Sequence, residues 1–557
     1  MFDLNNIDII KTDAERGVRS YSFVGLKRKD NSSRLEFWLP IGFDDFEPSF
    51  ENIKKFFFKM YRTFQVYRER KLNQLEEEWR TTDRDGVFEF ENGFSFVNEN
   101  SEQIVFYGKL NGLDKILEGY DELRISALEK KNFHSPEIDY SQIHRYMHRA
   151  YYLDDDIIYL DEMTIPKSII VQESPSIIQL FCFIYTEIKI ELEETDSVPN
   201  KAFELAEKFK DEFLEPSSSL FNKDSFSNTL STLRIVFEEI SDKTTYKDED
   251  FWHFYEAVEA FLLGEKSEDN KGIYFGINNF YDVWEDMCQS YMLSKEEGHL
   301  QKVMFADVKG RLRTRKDLGI QPHLNANPFK VKINNIPKTR YLRPDLVYLE
   351  AIDYEEEKLL QNIYTSIQDH FTVAGKSYTN HRIVFKSGII ENNPEIHNIY
   401  RKHLNNNRKY IDSGRKDERI LGVQYDEFAG EIFLHVYDTD AFTAIDLGLV
   451  NSVINVVDYK YMRLSDYINY DPAAVNQFGE NKIKDDVHKQ LVYEWTIQNN
   501  LSGSSTKSEF WIPFYSTDMS IFKQPVILSN PQFTPHQIDV VQINFKLLQE
   551  KYVKSIA

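Results

Sequence analysis

Cysteine and long apolar runs are the scarcest features of this sequence. Its 557 residues include two cysteines, Cys182 and Cys288, too few for a disulfide framework or a cysteine zinc site. The densest apolar run, residues 177–185, is interrupted by Gln179 and falls far short of the roughly 20 residues that a membrane helix needs. The first residues lack the basic and apolar stretches of a signal peptide. These absences predict a cytoplasmic protein without membrane contact, and a hydrophobic content of 41% is enough for a folded core.

Basic residues are also fewer than acidic residues. Lysine and arginine together number 67 against 91 aspartates and glutamates, which gives a formal net charge of −24. Nonspecific DNA binding depends on clustered Lys and Arg, so a DNA-binding chain of this charge would need a partner for much of its affinity. Two local basic stretches, 309–316 and 401–419, are interpreted either as DNA contacts or as solvated loops. Their basic residues are Lys309, Arg311, Arg313, Arg315, Lys316, Arg401, Lys402, Arg408, Lys409, Arg415, Lys416 and Arg419.

The length and the pattern of apolar residues predict an α+β, multidomain chain in three parts. Residues 1–130 are expected to form an N-terminal mixed α/β domain. Residues 131–270 are expected to be mostly helical, up to the charged and apolar-poor stretch 265–272. Residues 271–557 make the third part, in which an insertion near 351–440 has some structure of its own.

Local patterns place several elements within these parts. Aromatic and aliphatic residues at helical spacing predict a helix over 52–79, and Asn92-Gly93 predicts a hairpin turn between two strands. Further helices are predicted over 355–367, 485–498 and 534–551.

The stretch with the strongest candidates for functional residues is SVINVVDYKY, residues 452–461. A short β-branched apolar run that ends in an acid and a lysine is typical of a buried strand that delivers charge to the edge of a sheet. Because side chains alternate along a strand, Asp458 and Lys460 should share one face while Tyr459 points away. Upstream, Asp345 in RPDLVY begins another apolar strand. The sequence therefore predicts that two carboxylates and one lysine converge on a divalent metal and a phosphodiester.

Magnesium suits these ligands, with manganese as the alternative. Mg²⁺ prefers one or two protein carboxylates and several waters, so Asp345 and Asp458 make a sufficient inner shell, to which the Tyr459 carbonyl can add an oxygen. Such an ion stabilises charge on a phosphate oxygen and activates water. Lys460, close to two carboxylates, should stay protonated and can orient the attacking water or stabilise the phosphate. The competing interpretation is an ordinary Asp–Lys pair at the end of a strand.

The helix predicted after this strand carries two further polar candidates. Gln490 and Tyr493 are three residues apart and share one helix face. Three roles are open to them: bracing Lys460, contacting DNA, or packing against the sheet.

A second stretch has part of a nucleotide-binding motif. Residues 373–377, VAGKS, look like the end of a phosphate-binding loop. The first glycine of that pattern is replaced by His370, and no clean apolar strand precedes it. A simple turn is predicted instead, so the chain itself is not expected to hydrolyse a nucleotide.

Together, RPDLVY, VINVVDYKYM, DVHKQLVYEW and FWIPFY resemble the PD-(D/E)xK nuclease pattern. With NNFYDVWEDMC upstream, they are similar more narrowly to LlaJI-type restriction endonucleases, which are related to the McrC nuclease subunit of McrBC systems. The resemblance covers residues 272–350 and 452–520 and is weak over 1–270. It implies a nuclease core made of a mixed sheet flanked by helices, and magnesium-dependent cleavage of double-stranded DNA. It also implies an AAA+ GTPase or ATPase partner like McrB and an associated DNA methyltransferase.

The resemblance also assigns roles to residues. Asp345 and Asp458 would hold the metal, Lys460 would serve the reaction, Gln490 would support it, and Glu285 matches the acid that the first helix of such folds often carries. One departure is the long gap between the two aspartates. Asp446, in AIDLGLV, lies closer to the second aspartate and competes for the first metal position, although Pro344 and the apolar strand after it favour Asp345.

Two other functions remain open at this level. One is a non-catalytic activator of a motor NTPase with a degenerate nuclease domain. The other is a RecB-like exonuclease of DNA repair.

Overall fold

The computed structural model describes most of the chain, in segments. These are residues 7–11, 23–28, 34–79, 88–90, 93–97, 103–107, 110–129, 132–138, 140–152, 158–160, 166–170, 176–244, 249–263, 273–295, 297, 299–308, 310–320, 328–331, 340–351, 363–373, 376–385, 420–426, 431–436, 452–468, 478–500, 505–528 and 537–555.

The strands are numbered along the chain. They are β1 Ile7–Ile10, β2 Val24–Arg28, β3 Leu35–Trp38, β4 Phe88–Phe90, β5 Gly93–Val97, β6 Gln103–Tyr107, β7 Asn132–Ile138, β8 Tyr151–Tyr152, β9 Ile158–Tyr159, β10 Pro166–Ile170, β11 Ile273–Ile277, β12 Val303–Val308, β13 Arg311–Thr314, β14 Lys330–Val331, β15 Arg340–Tyr341, β16 Leu346–Ala351, β17 Ile363–Val373, β18 Lys376–Phe385, β19 Ile420–Asp426, β20 Glu431–Val436, β21 Ser452–Tyr459, β22 Ser505–Phe514, β23 Val526–Leu528 and β24 Ile538–Asn544.

The α-helices are numbered in the same way. They are α1 Phe50–Trp79, α2 Asn111–Glu118, α3 Glu122–Glu129, α4 Ser176–Glu191, α5 Asn200–Phe213, α6 Phe226–Lys243, α7 Glu249–Leu263, α8 Tyr281–Leu293, α9 Leu464–Ile468, α10 Phe478–Asn500 and α11 Phe545–Lys554.

The N-terminal sheet has seven strands in the order β1-β3-β2-β11-β6-β5-β4. Helix α1 packs on it through an aromatic stripe, in which Tyr61 and Phe64 are fully buried. Their rings lie 5.7 and 5.0 Å from the ring of Phe275 in β11, measured between centroids. The helix predicted over 52–79 is confirmed, since α1 covers it. The predicted hairpin is present as the antiparallel pair β4 and β5, but Gly93 is the first residue of β5 and pairs with Phe90, and Asn92 lies outside the described residues.

A helical layer made of α4 to α7 follows. Helix α4 is apolar on nearly every side because it lies at the centre of this layer, with Ile177, Leu180, Phe181 and Ile184 fully buried. Before this layer the chain forms the two-stranded ribbon of β7 and β10 and short 3₁₀ turns.

The C-terminal sheet has the order β13-β12-β16-β21-β22-β24-β23. Strands β12, β16 and β21 are successive antiparallel neighbours, whereas β21, β22 and β24 run parallel. Parallel neighbours need a crossover connection, and α10 lies in the one between β21 and β22. Helix α8 bonds to one face of this sheet, where Tyr459 Oη donates to Gln289, and α10 bonds to the other, where Ser508 Oγ donates to Glu494. The C-terminal sheet is therefore mixed and flanked by helices, which is the arrangement that the resemblance implies.

The expected insertion contains a separate four-stranded sheet in the order β17-β18-β20-β19. The helix predicted over 355–367 is wrong for residues 363–367, which belong to β17 and pair with β18. A charged, leucine-containing segment has helical periodicity, but the β-branched and aromatic residues after it gain more from cross-strand pairing. Of the turn predicted at 373–377, Val373 ends β17 and pairs with Lys376 at the start of β18, while residues 374 and 375 lie outside the described residues.

The helix predicted over 534–551 is wrong for residues 538–544. These residues form β24, which pairs in parallel with β22 and is buried along almost its whole length. Burial on both faces hides the period of a strand, so the apolar residues mimic a helical stripe. The helix α11 begins only at Phe545, after Asn544, whose side chain accepts a hydrogen bond from the Lys546 amide.

The N-terminal segment and the C-terminal sheet are in direct contact. The Ile41 amide donates to Tyr461 Oη at 2.9 Å, and the Tyr515 amide donates to the Gly42 carbonyl at 2.8 Å. Phe43 packs against Tyr515 with ring centroids 4.9 Å apart. The three-part division of the chain stays a prediction, and strand β11, just after its second boundary, lies in the N-terminal sheet.

A search of the described helices for a membrane span finds none that combines sufficient length with sufficient apolar character.

Candidate functional site

The two candidate aspartates lie side by side at one end of β16 and β21. Asp345 directly precedes β16, Asp458 is the penultimate residue of β21, and Leu346 pairs with Val457 in the antiparallel register. The Tyr459 amide donates a hydrogen bond of 2.6 Å to Asp345 Oδ2. The side chains of Asp345 and Asp458 are themselves hydrogen-bonded to each other. The pairing of β16 with β21 therefore brings together two acids that are 113 positions apart in sequence.

Lys460 lies next to this pair, on the side of the sheet that helix α10 covers. Its Nζ lies 2.8 Å from Asp458 Oδ2 and 2.9 Å from Asp486 Oδ1. Its amide donates to the Trp511 carbonyl at 2.9 Å, which continues the sheet pairing beyond β21. Burial acts to lower the pKa of Lys460, but Asp458 and Asp486 outweigh it and raise that pKa well above its usual value. Lys460 is therefore charged at neutral pH.

Tyr459 points to the opposite face, as strand alternation predicts. Its hydroxyl donates to Gln289 Oε1 of α8 at 2.9 Å, and its ring lies 5.7 Å from that of Trp511. The carbonyl of Tyr459 stays a predicted metal ligand.

The two aspartates titrate in opposite directions. Burial and the neighbouring charge of Asp458 raise the pKa of Asp345 well above its usual value. Burial also acts to raise the pKa of Asp458, but Lys460 and the hydrogen bond to Asp345 prevail and lower it. When the pair binds a proton, Asp345 therefore holds it in preference to Asp458, which keeps the negative charge.

Glu285 of α8 is a third acid close to this pair. Burial, and then the negative charges of Asp282 and Asp458, raise its pKa to about 8. No hydrogen bond to Asp345 or Asp458 is found among its contacts with described residues. The structure therefore brings Glu285 into the electric field of the site without making it a hydrogen-bonded member.

Gln490 and Tyr493 support the backbone of the two strands that carry the acids. Gln490 is fully buried, and its Nε2 donates to the Val456 carbonyl of β21. The Tyr493 hydroxyl donates at 2.9 Å to the carbonyl of Arg343, two residues before Asp345. Of the three roles open from sequence, these contacts match packing against the sheet, and neither side chain bonds to Lys460.

Sequence analysis missed Asp486. This residue is 8% exposed and shares Lys460 with Asp458. A signal was available, because Asp486 stands four residues before Gln490 and seven before Tyr493, on the same face of α10. Asp307 was missed too: its amide donates at 2.9 Å to the Asp345 carbonyl, so it helps to fix the start of β16.

The donor set fits a hard divalent cation. Asp345 and Asp458 offer carboxylate oxygens, which is the ligand type and number that Mg²⁺ or Mn²⁺ takes from a protein. Asp458 Oδ2 is buried and, although 2.8 Å from Lys460 Nζ, accepts no well-directed hydrogen bond from any residue that the structure describes. A dication could neutralise the negative charge that the two acids bring together. Within the described residues, however, no group of three or more His, Cys, Asp or Glu side chains is arranged to hold a metal, so such an ion would depend on water for its other ligands.

One predicted basic residue is not at the surface. Arg315 is 5% exposed, and its guanidinium donates to the carbonyls of Gln301 and Val303, so it holds a turn together and the expectation of a DNA contact or a solvated loop is wrong there. Arg311 is exposed on β13. Lys309, the basic stretch 401–419 and the competing acid Asp446 lie outside the described residues.

No family model, curated protein or solved structure matches this chain. Its fold is a mixed α/β arrangement, and its likeness to the PD-(D/E)xK nucleases stays an expectation from sequence.

Proposed function

We propose that this chain is the metal-dependent DNA endonuclease subunit of an antiphage restriction system. The observation that supports it best is the hydrogen-bonded pair of Asp345 and Asp458, with the charged Lys460 at 2.8 Å from the second acid. Two carboxylates and an ammonium group at the end of a sheet, between helices, make a site for a cation and a phosphodiester.

Each of these groups would have a separate role in the reaction. A Mg²⁺ or Mn²⁺ ion held by Asp345 and Asp458 would supply charge neutralisation and an activated water. The Lys460 ammonium, kept protonated by Asp458 and Asp486, stabilises negative charge on the phosphate oxygens. Glu285, with a pKa of about 8, can take up or release a proton near neutral pH, which suits proton transfer to a leaving oxygen. Gln490 positions the strand that carries Asp458.

The charge of the chain indicates the need for a partner, because a net charge of −24 opposes binding to a polyanion. The resemblance to McrC-type subunits implies that this partner is an AAA+ GTPase or ATPase subunit, which would bring the double-stranded DNA to this site. An associated DNA methyltransferase would protect the host, and the system would act in the cytoplasm.

A non-catalytic activator of the motor NTPase is the second candidate. It is favoured by the bonding of Lys460 to two acids and by the lack, within the described segments, of a three-residue metal group.

The test uses closed circular DNA and the full chain together with the proposed AAA+ NTPase partner, in Mg²⁺, Mn²⁺ or EDTA. Asp458→Asn removes a metal acid, and Asp539→Asn is the matched control, because Asp539 is a buried acid of the same sheet that pairs with Lys507 at 3.1 Å. We expect cation-dependent cleavage by the wild type and the control but not by Asp458→Asn, with NTPase stimulation equal in all three.

Each of the other outcomes would lead to a different conclusion about the site or the function. Equal cleavage by Asp458→Asn refutes the assigned site. Stimulation of the NTPase without any cleavage selects the activator. Degradation of linear DNA while circles stay intact selects a RecB-like exonuclease.

A further inference from the structure

The candidate site is strongly acidic, and Lys460 is already engaged by its acids. Lys460 contacts both Asp458 and Asp486. A phosphodiester backbone that approached this site would meet repulsion unless a cation at the rim received its neighbouring phosphates. Five acids here are linked by their mutual charges, and Asp486 adds a sixth through its effect on Lys460; the five are Asp282, Glu285, Asp307, Asp345 and Asp458.

Helix α10 presents such a cation. Asp486, Gln490 and Tyr493 face the sheet, and the bond from Gln490 to the Val456 carbonyl fixes the helix there. Lys489 precedes Gln490 by about 100° of helical rotation, which turns it from the sheet toward the solvent. It is exposed, yet its Nζ lies 5.9 Å from the ring centroid of Tyr493.

Lys489 also acts on the site electrostatically. Its charge is among the causes that lower the pKa of Asp458. Among the described residues no acid forms an ion pair with it, so its ammonium group is available to a ligand. The Tyr493 ring beneath it bonds through its hydroxyl to the Arg343 carbonyl, beside the strand start that carries Asp345.

We propose that Lys489 is a substrate-binding residue that contacts a DNA backbone phosphate next to the one cleaved. This inference rests on the proposed function and adds the contact through which the acidic site accepts a polyanion. An exposed lysine above an aromatic ring matches a phosphate better than an apolar protein surface, because a mobile ammonium binds phosphate as a point charge.

The experiment measures binding of a short duplex oligonucleotide in Ca²⁺ by fluorescence anisotropy across a salt titration, with the NTPase partner present. Lys489→Gln is compared with Lys489→Arg and with Lys208→Gln, a control at an exposed lysine of α5. We expect Lys489→Gln to bind severalfold more weakly and to reduce the slope of log affinity against log salt by about 1. Lys489→Arg and the control should behave as the wild type.

Equal affinity and equal salt slope for Lys489→Gln and Lys208→Gln would overturn the proposal, as would a wild type that binds no duplex. Failure of the proposed function is seen separately, as a wild type that binds duplex DNA but cleaves none in Mg²⁺. A weaker interaction of Lys489→Gln with the NTPase in the absence of DNA would also count against a phosphate contact and would assign Lys489 to a protein interface.

Discussion

Replacing Glu285 by Gln should stabilise the protein when no divalent cation is bound. The pKa of Glu285 is about 8 in the folded protein, against 4.5 in a free side chain. A carboxyl group whose pKa is raised by folding contributes fully to stability below pH 4.5 and loses that contribution as the pH rises toward 8. Gln has nearly the same shape and never ionises, so it escapes this loss.

The magnitude follows from the two pKa values. At pH 7 a free glutamate is ionised, and each tenfold difference in proton affinity is about 1.4 kcal/mol, so the cost of protonating it on folding is at most ~3 kcal/mol. Glu285 keeps partial access to solvent, which reduces the expected gain of Glu285→Gln at pH 7 to about 1–2 kcal/mol. The gain should vanish near pH 4.5.

Urea unfolding in EDTA at pH 5, 7 and 8 measures this difference, with Glu238→Gln at an exposed position of α6 as the control. Addition of Mg²⁺ should narrow the gap between wild type and Glu285→Gln, because a cation compensates the ionised carboxylate. A wild type that is as stable as Glu285→Gln at pH 8 in EDTA, or a gain that does not change with pH, would refute the electrostatic account.

Three further substitutions test the supports of the site. Asp486→Asn removes one of the two acids that hold Lys460, so single-turnover cleavage should slow by at least about tenfold while a Mg²⁺ titration stays unchanged; unaltered cleavage would mean that Asp486 does not position the lysine. Gln490→Ala leaves a buried carbonyl of β21 without its donor and should cost about 1–3 kcal/mol in urea unfolding; a neutral effect would show that the bond is dispensable. Gly42→Ala should cost about 2 kcal/mol or more, because Gly42 has φ +84° and an added Cβ would lie 2.3 Å from the Pro513 carbonyl oxygen; wild-type stability would contradict this packing.

The sequence predicts the placement of residues at the strand ends of this protein better than it predicts the structure of the insertion. The acid and lysine after a β-branched run could be placed on one face because strand alternation needs only local information. The opposite directions of Asp458 and Tyr459 follow from the same rule, and the structure has Lys460 bonded to Asp486 of α10 and Tyr459 to Gln289 of α8.

Other features depend on partners that are distant in sequence. Arg315 lies in a basic stretch, so the sequence suggests that it is exposed to solvent. In the structure it is buried, with its guanidinium donating hydrogen bonds to the carbonyls of Gln301 and Val303. The strand at 538–544 exists because β22 pairs beside it. Asp486 gains its role only through Lys460, which sequence alone does not bring near it.

The long gap between Asp345 and Asp458 does not oppose their shared site. Strands β16 and β21 pair directly, with Leu346 opposite Val457 at one end and Ala351 opposite Ser452 at the other. The chain between residues 351 and 452 therefore leaves and re-enters the sheet about 20 Å from the acids, at roughly 3.3–3.4 Å per residue. Since the entropy of closing a loop grows only with the logarithm of its length, such an insertion costs the hairpin little.

Excision of this insertion is the most discriminating change. Joining residue 351 to residue 452 by an Asn-Gly turn keeps the β16–β21 register and also removes Asp446, the competing acid. If Asp345 and Asp458 bind the cation, the shortened protein should keep the increase in melting temperature that Mg²⁺ gives the full chain, and Asp345→Asn in the shortened protein should abolish it. A folded shortened protein that has lost the Mg²⁺ response, in contrast, would assign the first metal position to Asp446 and would leave Asp345 as the residue that caps β21 through the Tyr459 amide.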